Sequence, residues 1–133
     1  MNVDRVAERV ADAMGWRKAF ASEELESGWR RFVRECVNGY SMSIYEYEND
    51  LQVRKMIRDV MVDPLLGIDL SVEEFSRRIS EIDDEFKGIL QPEVQVGDEG
   101  SPWWVRGVPR YAGSELSSDF HDIYGVEVAV RGA

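Results

Sequence analysis

The sequence predicts a mainly α fold: a single-domain helical bundle of four to five helices with a short extended segment near the C-terminus. Apolar residues recur at steps of three and four along most of the chain, which is the spacing of one helix face. Ser-x-x-Glu capping patterns and Asn-Gly or Pro breaks separate these stretches. No succession of strands supports a parallel sheet. With 133 residues, 44% of them hydrophobic, the chain has the length and apolar content of one domain.

The first three helices are predicted from apolar stripes and end signals. They cover about Asn2 to Met14, about Glu23 to Val37 and about Ile44 to Val62. The third follows a Ser43–Glu46 capping box. Its apolar residues spread around more than half of the cylinder, so we expect a central helix that is contacted on two sides.

The C-terminal half is predicted to hold two more helices and the less regular segments. A fourth helix covers about Val72 to Leu90, where a narrow apolar stripe suits one neighbouring helix. Residues 91–102 are polar, contain glycine and proline, and are predicted to form a flexible loop within the domain. Trp103 to Arg106 is expected to be extended, and a fifth helix runs from Ser114 to Tyr124. The pattern of Val126 to Val130 leaves open one strand or a tail.

The charge of the chain limits its partners. There are 16 Lys+Arg against 26 Asp+Glu, a formal net charge of -10. Such a charge repels nucleic acid phosphates and anionic lipid, and it attracts basic proteins. We therefore expect a basic protein partner rather than nucleic acid or a membrane, while homo-oligomerisation stays open. The competing explanation is that the acidity only keeps the protein in solution.

The lone cysteine and the lack of long apolar runs bear on location. Cys36 excludes an intramolecular disulfide framework, and its apolar neighbours at helical spacing predict a buried side chain. No N-terminal apolar run resembles a signal peptide, and no stretch approaches the ~18 apolar residues that span a bilayer. The sequence therefore predicts a cytoplasmic protein.

Residues 39–50 combine three tyrosines with three carboxylates and contain no basic residue. Flat apolar rings, hydroxyl groups and negative charge together suit the recognition of a basic partner. In an extended segment the adjacent Trp103 and Trp104 point to opposite sides, so one can face outward as a binding hot spot. The competing explanations are a solvated acidic helix side and two tryptophans that both pack inward. The predicted partner-binding residues are Tyr45, Glu46, Glu48, Asn49, Asp50 and Trp104.

No catalytic residue, metal site or cofactor is predicted. His121 is the only histidine, and a metal site would need further His or Cys at ligand spacing. No nucleophile elbow or phosphate-binding glycine loop occurs. Asp83 and its acidic neighbours are interpreted as the solvent-facing side of the fourth helix. A small enzyme with a carboxylate site built from Glu46, Asp50 and acids of the fourth helix stays open as the alternative, as does a regulatory helical domain without an exposed functional face.

Two groups of motifs resemble a recurring pattern in small, uncharacterised actinobacterial proteins. The first group is Gly39-Tyr40-Ser41, Ile44-Tyr45-Glu46-Tyr47 and Asn49-Asp50-Leu51-x-Val53-Arg54. The second is Trp103-Trp104-x-Arg106-Gly107-Val108-Pro109 and Ser114-Glu115-Leu116-x-x-Asp119. This resemblance implies no particular activity. In size, acidity and helicity the chain is also similar to helical immunity proteins of contact-dependent inhibition systems, which block toxin domains. That similarity implies an immunity-like or antitoxin-like binder and carries no site residues over.

Overall fold

The computed structural model describes residue 4, residues 22–62 and residues 70–131. Its first four helices are α1 (Ser22–Val37), α2 (Ile44–Asp50), α3 (Gln52–Met61) and α4 (Leu70–Gly88). The remaining elements are β1 (Leu90–Gln95), the one-turn helix α5 (Trp103–Arg106), β2 (Gly107–Pro109), β3 (Tyr111–Ala112), α6 (Ser114–Tyr124) and β4 (Ala129–Val130). The mainly α prediction is confirmed. The helix predicted for Asn2 to Met14 lies outside the described residues except for Asp4.

The described residues divide into two compact units. Of the described residues, unit 1 holds residues 4, 22–30, 53–62 and 70–83, and unit 2 holds residues 31–52 and 84–131. Helices α1 and α4 contribute to both units, and the prediction of one domain stays a prediction.

Unit 1 has a core of apolar side chains at helical spacing. On α1 they recur at a step of four, on α3 at a step of three, and on α4 at steps of four and three, so each helix turns one stripe inward. Among its described residues, those that are apolar and buried are Leu25, Trp29, Ile57, Val60, Phe75, Ile79 and Ile82. The backbone N–H of Ser22, at the start of α1, donates to a carboxylate oxygen of Asp4 at 2.7 Å.

Unit 2 is built around a cluster of aromatic rings. The rings of Phe32 and Tyr47 have centroids 5.4 Å apart, and Tyr47 lies at the same distance from Tyr40. The Phe86 ring contacts that of Phe32, and the Phe120 ring contacts that of Tyr47, each with 5.8 Å between ring centroids. These tilted and edge-to-face contacts are the favoured arrangements of aromatic pairs. The cluster therefore joins α1, α2, α4 and α6 within this unit.

The third predicted helix is in fact two helices. The chain forms α2, turns at the buried Leu51 and restarts as α3. Buried positions in α3 recur only at steps of three, at Arg54, Ile57 and Val60. In one continuous helix such steps drift around the cylinder by about 60° each time. The apolar positions predicted for one central helix are thus divided between α2, in unit 2, and α3, which from Val53 onward belongs to unit 1.

The prediction of a flexible loop over residues 91–102 is wrong for the first half of that segment. Residues 91–95 belong to β1, which pairs antiparallel with β2 through Leu90 opposite Pro109 and Gln95 opposite Gly107. The side-chain amide of Gln91 donates to the carbonyls of Pro109 at 3.0 Å and of Glu127 at 2.7 Å. These distant acceptors order a segment whose glycine and proline content favours a loop.

Strands β3 and β4 form a short parallel pair, which the sequence did not predict. Tyr111 lies opposite Ala129, and Ala112 lies opposite Val130, with α6 between the two strands in sequence. Residues 126–130 were predicted to form either a strand or a tail. The structure has a strand at the C-terminal end of this segment, Ala129–Val130.

The chain between β3 and α6 passes very close to the chain before α2. The Gly113 N–H donates to the Tyr40 carbonyl at 2.8 Å. A Cβ at Gly113 would lie 2.9 Å from that carbonyl oxygen and 3.0 Å from Ser41 Cα. Only glycine lets the two backbones come this close without a shift. The close contact places the start of α6 beside the start of α2.

Candidate protein-interaction surface

Helix α2 begins at the residue predicted from the capping pattern. Ser43 is the N-cap, and its hydroxyl oxygen accepts from the Glu46 N–H at 3.4 Å. This contact satisfies one of the amides that lack a partner in the first turn of a helix. The Glu46 carboxylate, in the same turn, is favourably placed at the positive end of the helix dipole.

A second amide of the first turn is satisfied from another helix. The Ile44 N–H donates to a carboxylate oxygen of Asp119, on α6, at 2.9 Å. The two residues are 75 positions apart, so no local pattern signals this contact. The bond ties the start of α2 to α6, and α2 is thus held at a fixed place on unit 2.

One side of α2 packs inward and the opposite side faces solvent. Ile44 and Tyr47 are buried, as is Leu51 directly after the helix. Tyr45 has 74% of its surface exposed, although it is a large aromatic residue. The remaining predicted residues on the solvent side are also exposed: Glu46, Glu48 and Asn49. These four residues, Tyr45, Glu46, Glu48 and Asn49, are called the α2 surface below.

Asp50 was predicted to belong to the same surface, but its carboxylate is engaged elsewhere. The buried Tyr40 hydroxyl donates to an Asp50 carboxylate oxygen at 2.6 Å. Burial, followed by this hydrogen bond and the Asp50 charge, raises the pKa of Tyr40. Asp50 is half-buried and holds the end of α2 to the chain before it. We therefore treat it as a positioning residue.

Glu48 lies on the other flank of the helix. The Tyr124 hydroxyl, on α6, lies 3.5 Å from Glu48 Oε1. Burial, then the Glu48 charge, raises the pKa of Tyr124. Glu48 and Asp50 are two residues apart, so they point about 200° apart around the helix. These two carboxylates therefore diverge. In the alternative carboxylate site the α2 pair is Glu46 and Asp50, of which Glu46 is exposed, whereas Asp50 is half-buried and accepts from Tyr40.

Trp104 was predicted to bind a partner, and the structure places it inside. It is only 5% exposed, whereas Trp103 is half-buried. Residues 103–106 form the helical turn α5 and not an extended segment, so the two indoles do not point to opposite sides. Their rings meet edge to face at 5.8 Å, and Lys87 Nζ lies 4.6 Å from the Trp103 centroid. The assignment of Trp104 to the exposed surface is therefore wrong.

Asp83 was interpreted as solvent-facing, but it is buried in unit 1. Its two carboxylate oxygens accept from Arg54 Nε and Nη2, each at 2.9 Å. The Trp29 indole N–H donates to the same carboxylate at 3.0 Å. Arg54 is buried as well, so this is a desolvated ion pair that joins α1, α3 and α4 within the unit. Asp83 therefore has a structural role: its carboxylate is held by Arg54 and Trp29 inside the unit.

The remaining candidates for chemistry are placed as follows. His121 is exposed, with Nδ1 3.3 Å from Asp122 and Nε2 3.5 Å from Glu127. Cys36 is buried as predicted, and burial followed by the charges of Glu35 and Asp50 raises the pKa of its thiol. Within residues 4, 22–62 and 70–131, no three His, Cys, Asp or Glu side chains are grouped to hold a metal ion.

Across the described part of the chain, no helix has the length and apolar character that crossing a membrane requires. Comparison of the sequence and structure with protein-family models, curated proteins and solved structures finds no match. The resemblance to an actinobacterial family and to immunity proteins therefore stays a prediction.

Proposed function

We propose that this protein is a non-catalytic, acidic interaction module that binds a basic protein partner through the α2 surface. An immunity-like or antitoxin-like role, in which the partner is a toxin domain, is the form of this function that we favour. We also propose a cytoplasmic location, in keeping with a sequence that has one cysteine and so forms no intrachain disulfide.

The exposure of Tyr45 carries the proposal. An aromatic ring that is 74% exposed leaves apolar area in water, and burial of such a ring against a partner gains free energy. Tyrosine is among the residues that dominate binding energy at protein interfaces. Glu46 and Asn49 lie beside it on the same side of α2, within a stretch that contains no basic residue.

The electrostatics support a basic partner. The chain has a formal net charge of -10, and the α2 surface adds local negative charge to that field. Opposite charge on a partner raises the association rate, and salt screens the effect over a length of about 8 Å at physiological ionic strength. Nucleic acid and anionic membranes carry the same sign of charge as the protein and are disfavoured.

Preorganisation supports the same surface. The start of α2 is held by Ser43 and Asp119, and its end is held by the Tyr40–Asp50 hydrogen bond. A partner that docks on a helix already fixed at both ends does not lose affinity to the ordering of that helix.

A differential pull-down from the native host tests the proposal. We expect a basic protein to be retained by the wild type at low salt, released at high salt and lost by the variant Glu46→Lys/Asn49→Lys. The matched control is Asp84→Lys/Glu85→Gln, which makes the same change in net charge at two exposed residues of α4. Retention of the same proteins by both variants would contradict the proposal, because the α2 surface would then not be the binding site.

A further inference from the structure

The solvent-exposed side of α2 has an apolar neighbour on α6. Ile123 is 51% exposed and Tyr124 is 37% exposed, both near the C-terminal end of that helix. Tyr124 is linked to α2 through Glu48, with 3.5 Å between its hydroxyl and the carboxylate oxygen. Glu48 follows Tyr45 by three residues and is therefore its neighbour on the surface of α2, so Tyr45 is linked to Tyr124 through Glu48. Exposed aromatic and aliphatic side chains on two such adjoining helices are of the kind that marks interaction sites.

The contacts between α2 and α6 place Ile123 on the side of α6 that faces α2. Asp119 bonds to the amide of Ile44, and the Phe120 ring lies 5.8 Å from that of Tyr47. Residues later in α6 therefore meet residues later in α2. Ile123 follows Asp119 by four residues and Phe120 by three, so it lies one turn further on the same side.

Acidic residues surround this patch, and the two segments that build it carry no lysine or arginine; His121 lies at its α6 edge, in contact with Asp122 and Glu127. Residues 39–50 and 111–130 contain no lysine or arginine. The exposed acids Glu46 and Glu48 lie on α2, and the exposed acids Asp122 and Glu127 lie at the end of α6 and just beyond it. A partner that covers the apolar patch must therefore bring its own positive charge to both edges.

We infer that Tyr45, Ile123 and Tyr124 form an apolar seat for a basic amphipathic segment of a partner protein. An apolar side chain of that segment sits against the three residues. Lys or Arg on either side of it meet Glu46 at one edge and Asp122 and Glu127 at the other, and Glu48 offers a further carboxylate between Tyr45 and Tyr124. The inference rests on the proposed function and goes beyond it: the partner needs an apolar anchor as well as charge, and α6 belongs to the binding site.

The same features argue against other occupants. A second copy of the chain would bring acids against acids across the seat, which opposes association. A purely cationic segment would meet the edges but would leave the Tyr45 and Ile123 side chains in water. Charge complementarity and exposed apolar area together select the basic amphipathic segment.

Selection from a displayed library of random peptides tests the inference on the full chain. We expect the enriched peptides to share an apolar residue flanked by Lys or Arg. Ile123→Ser and Tyr45→Ser should each weaken the binding of a synthetic enriched peptide by about tenfold or more, the scale of an anchor residue. Val105→Ser is the matched control, since Val105 is a 43% exposed apolar residue on α5, and it should leave binding unchanged. Amide NMR spectra check that each variant is folded.

Each other outcome decides between the two proposals. The inference would be overturned, while the proposed function stands, if the enriched peptides had Lys and Arg but no shared apolar residue. Their binding would then fall with Glu46→Lys but not with Ile123→Ser. A lower sedimenting mass of Ile123→Ser than of the wild type would show that a second copy covers the seat, and would also overturn it. Enriched peptides without basic residues, peptides that bind elsewhere, or no enrichment would count against both.

Discussion

Replacement of Asp83 should destabilise the protein strongly, because its carboxylate is the shared acceptor of a buried network. Two hydrogen bonds from Arg54, each 2.9 Å, and one from the Trp29 indole at 3.0 Å end on this group. Asp83→Leu removes the charge that offsets a buried guanidinium and also removes the acceptor of a buried N–H. The loss of one partner of a buried ion pair costs about 3–5 kcal/mol.

A double variant separates the charge effect from simple loss of packing. Arg54→Met combined with Asp83→Leu removes both charges together and keeps apolar volume in the core. The Trp29 N–H still loses this acceptor, at a cost of about 1–3 kcal/mol. We therefore expect the double variant to be more stable than Asp83→Leu alone, and the double-mutant cycle to give a large coupling free energy.

Urea denaturation followed by far-ultraviolet circular dichroism measures these free energies of unfolding. Asp84→Leu is the control, since it makes the same chemical change at the exposed neighbouring residue and should change stability by about 0.5 kcal/mol or less. If Asp83→Leu cost less than about 1 kcal/mol, or if the double variant were the less stable of the two, the account of a buried network would be refuted.

Three further predictions follow from unit 2. Tyr47→Phe removes a buried hydroxyl with no hydrogen-bond partner among the described residues, so it should be neutral or slightly stabilising. Tyr40→Phe removes a 2.6 Å hydrogen bond to the Asp50 carboxylate and should lower the free energy of unfolding, measured by urea denaturation, by about 1.5–3 kcal/mol. Gly113→Ala should lower the thermal midpoint because its Cβ would meet backbone 2.9 Å away, whereas Gly88→Ala, with nothing within 4 Å, should raise it. Burial raises the pKa of Cys36, so above about pH 8.5 the folded state keeps a proton that the unfolded chain loses, and stability should fall as pH rises. In Cys36→Ala that fall should begin nearer pH 10, where unfolded tyrosines ionise.

Local sequence signals were sufficient for some elements. The predicted second helix, Glu23 to Val37, differs from α1 by one residue, and the predicted fifth helix matches α6, Ser114–Tyr124. Gly125, just after α6, adopts the left-handed conformation that makes glycine a common helix end. The N-cap Ser43 was predicted in the same way. In these cases residues close together in the sequence mark where a helix begins or ends.

Other features depend on residues far apart in the chain, and no spacing rule reveals them. Asp83 lies in a run of acids that resembles a solvated helix side, and only the approach of Arg54 and Trp29 explains its burial. The capping of Ile44 by Asp119 joins positions 75 residues apart. For the candidate surface, the exposure of Tyr45 agrees with the sequence prediction, whereas the burial of Trp104 does not.

The association rate of the partner over a series of salt concentrations is the most direct test of the proposed function. The measurement compares the wild type, Glu46→Lys/Asn49→Lys and the control Asp84→Lys/Glu85→Gln on a surface that carries the protein retained in the pull-down. We expect the wild-type and control rates to fall steeply with salt, and the α2 variant to associate slowly with a weak salt dependence. A rate that does not change with salt and is equal in all three proteins would contradict the claim that the α2 surface recruits a basic partner.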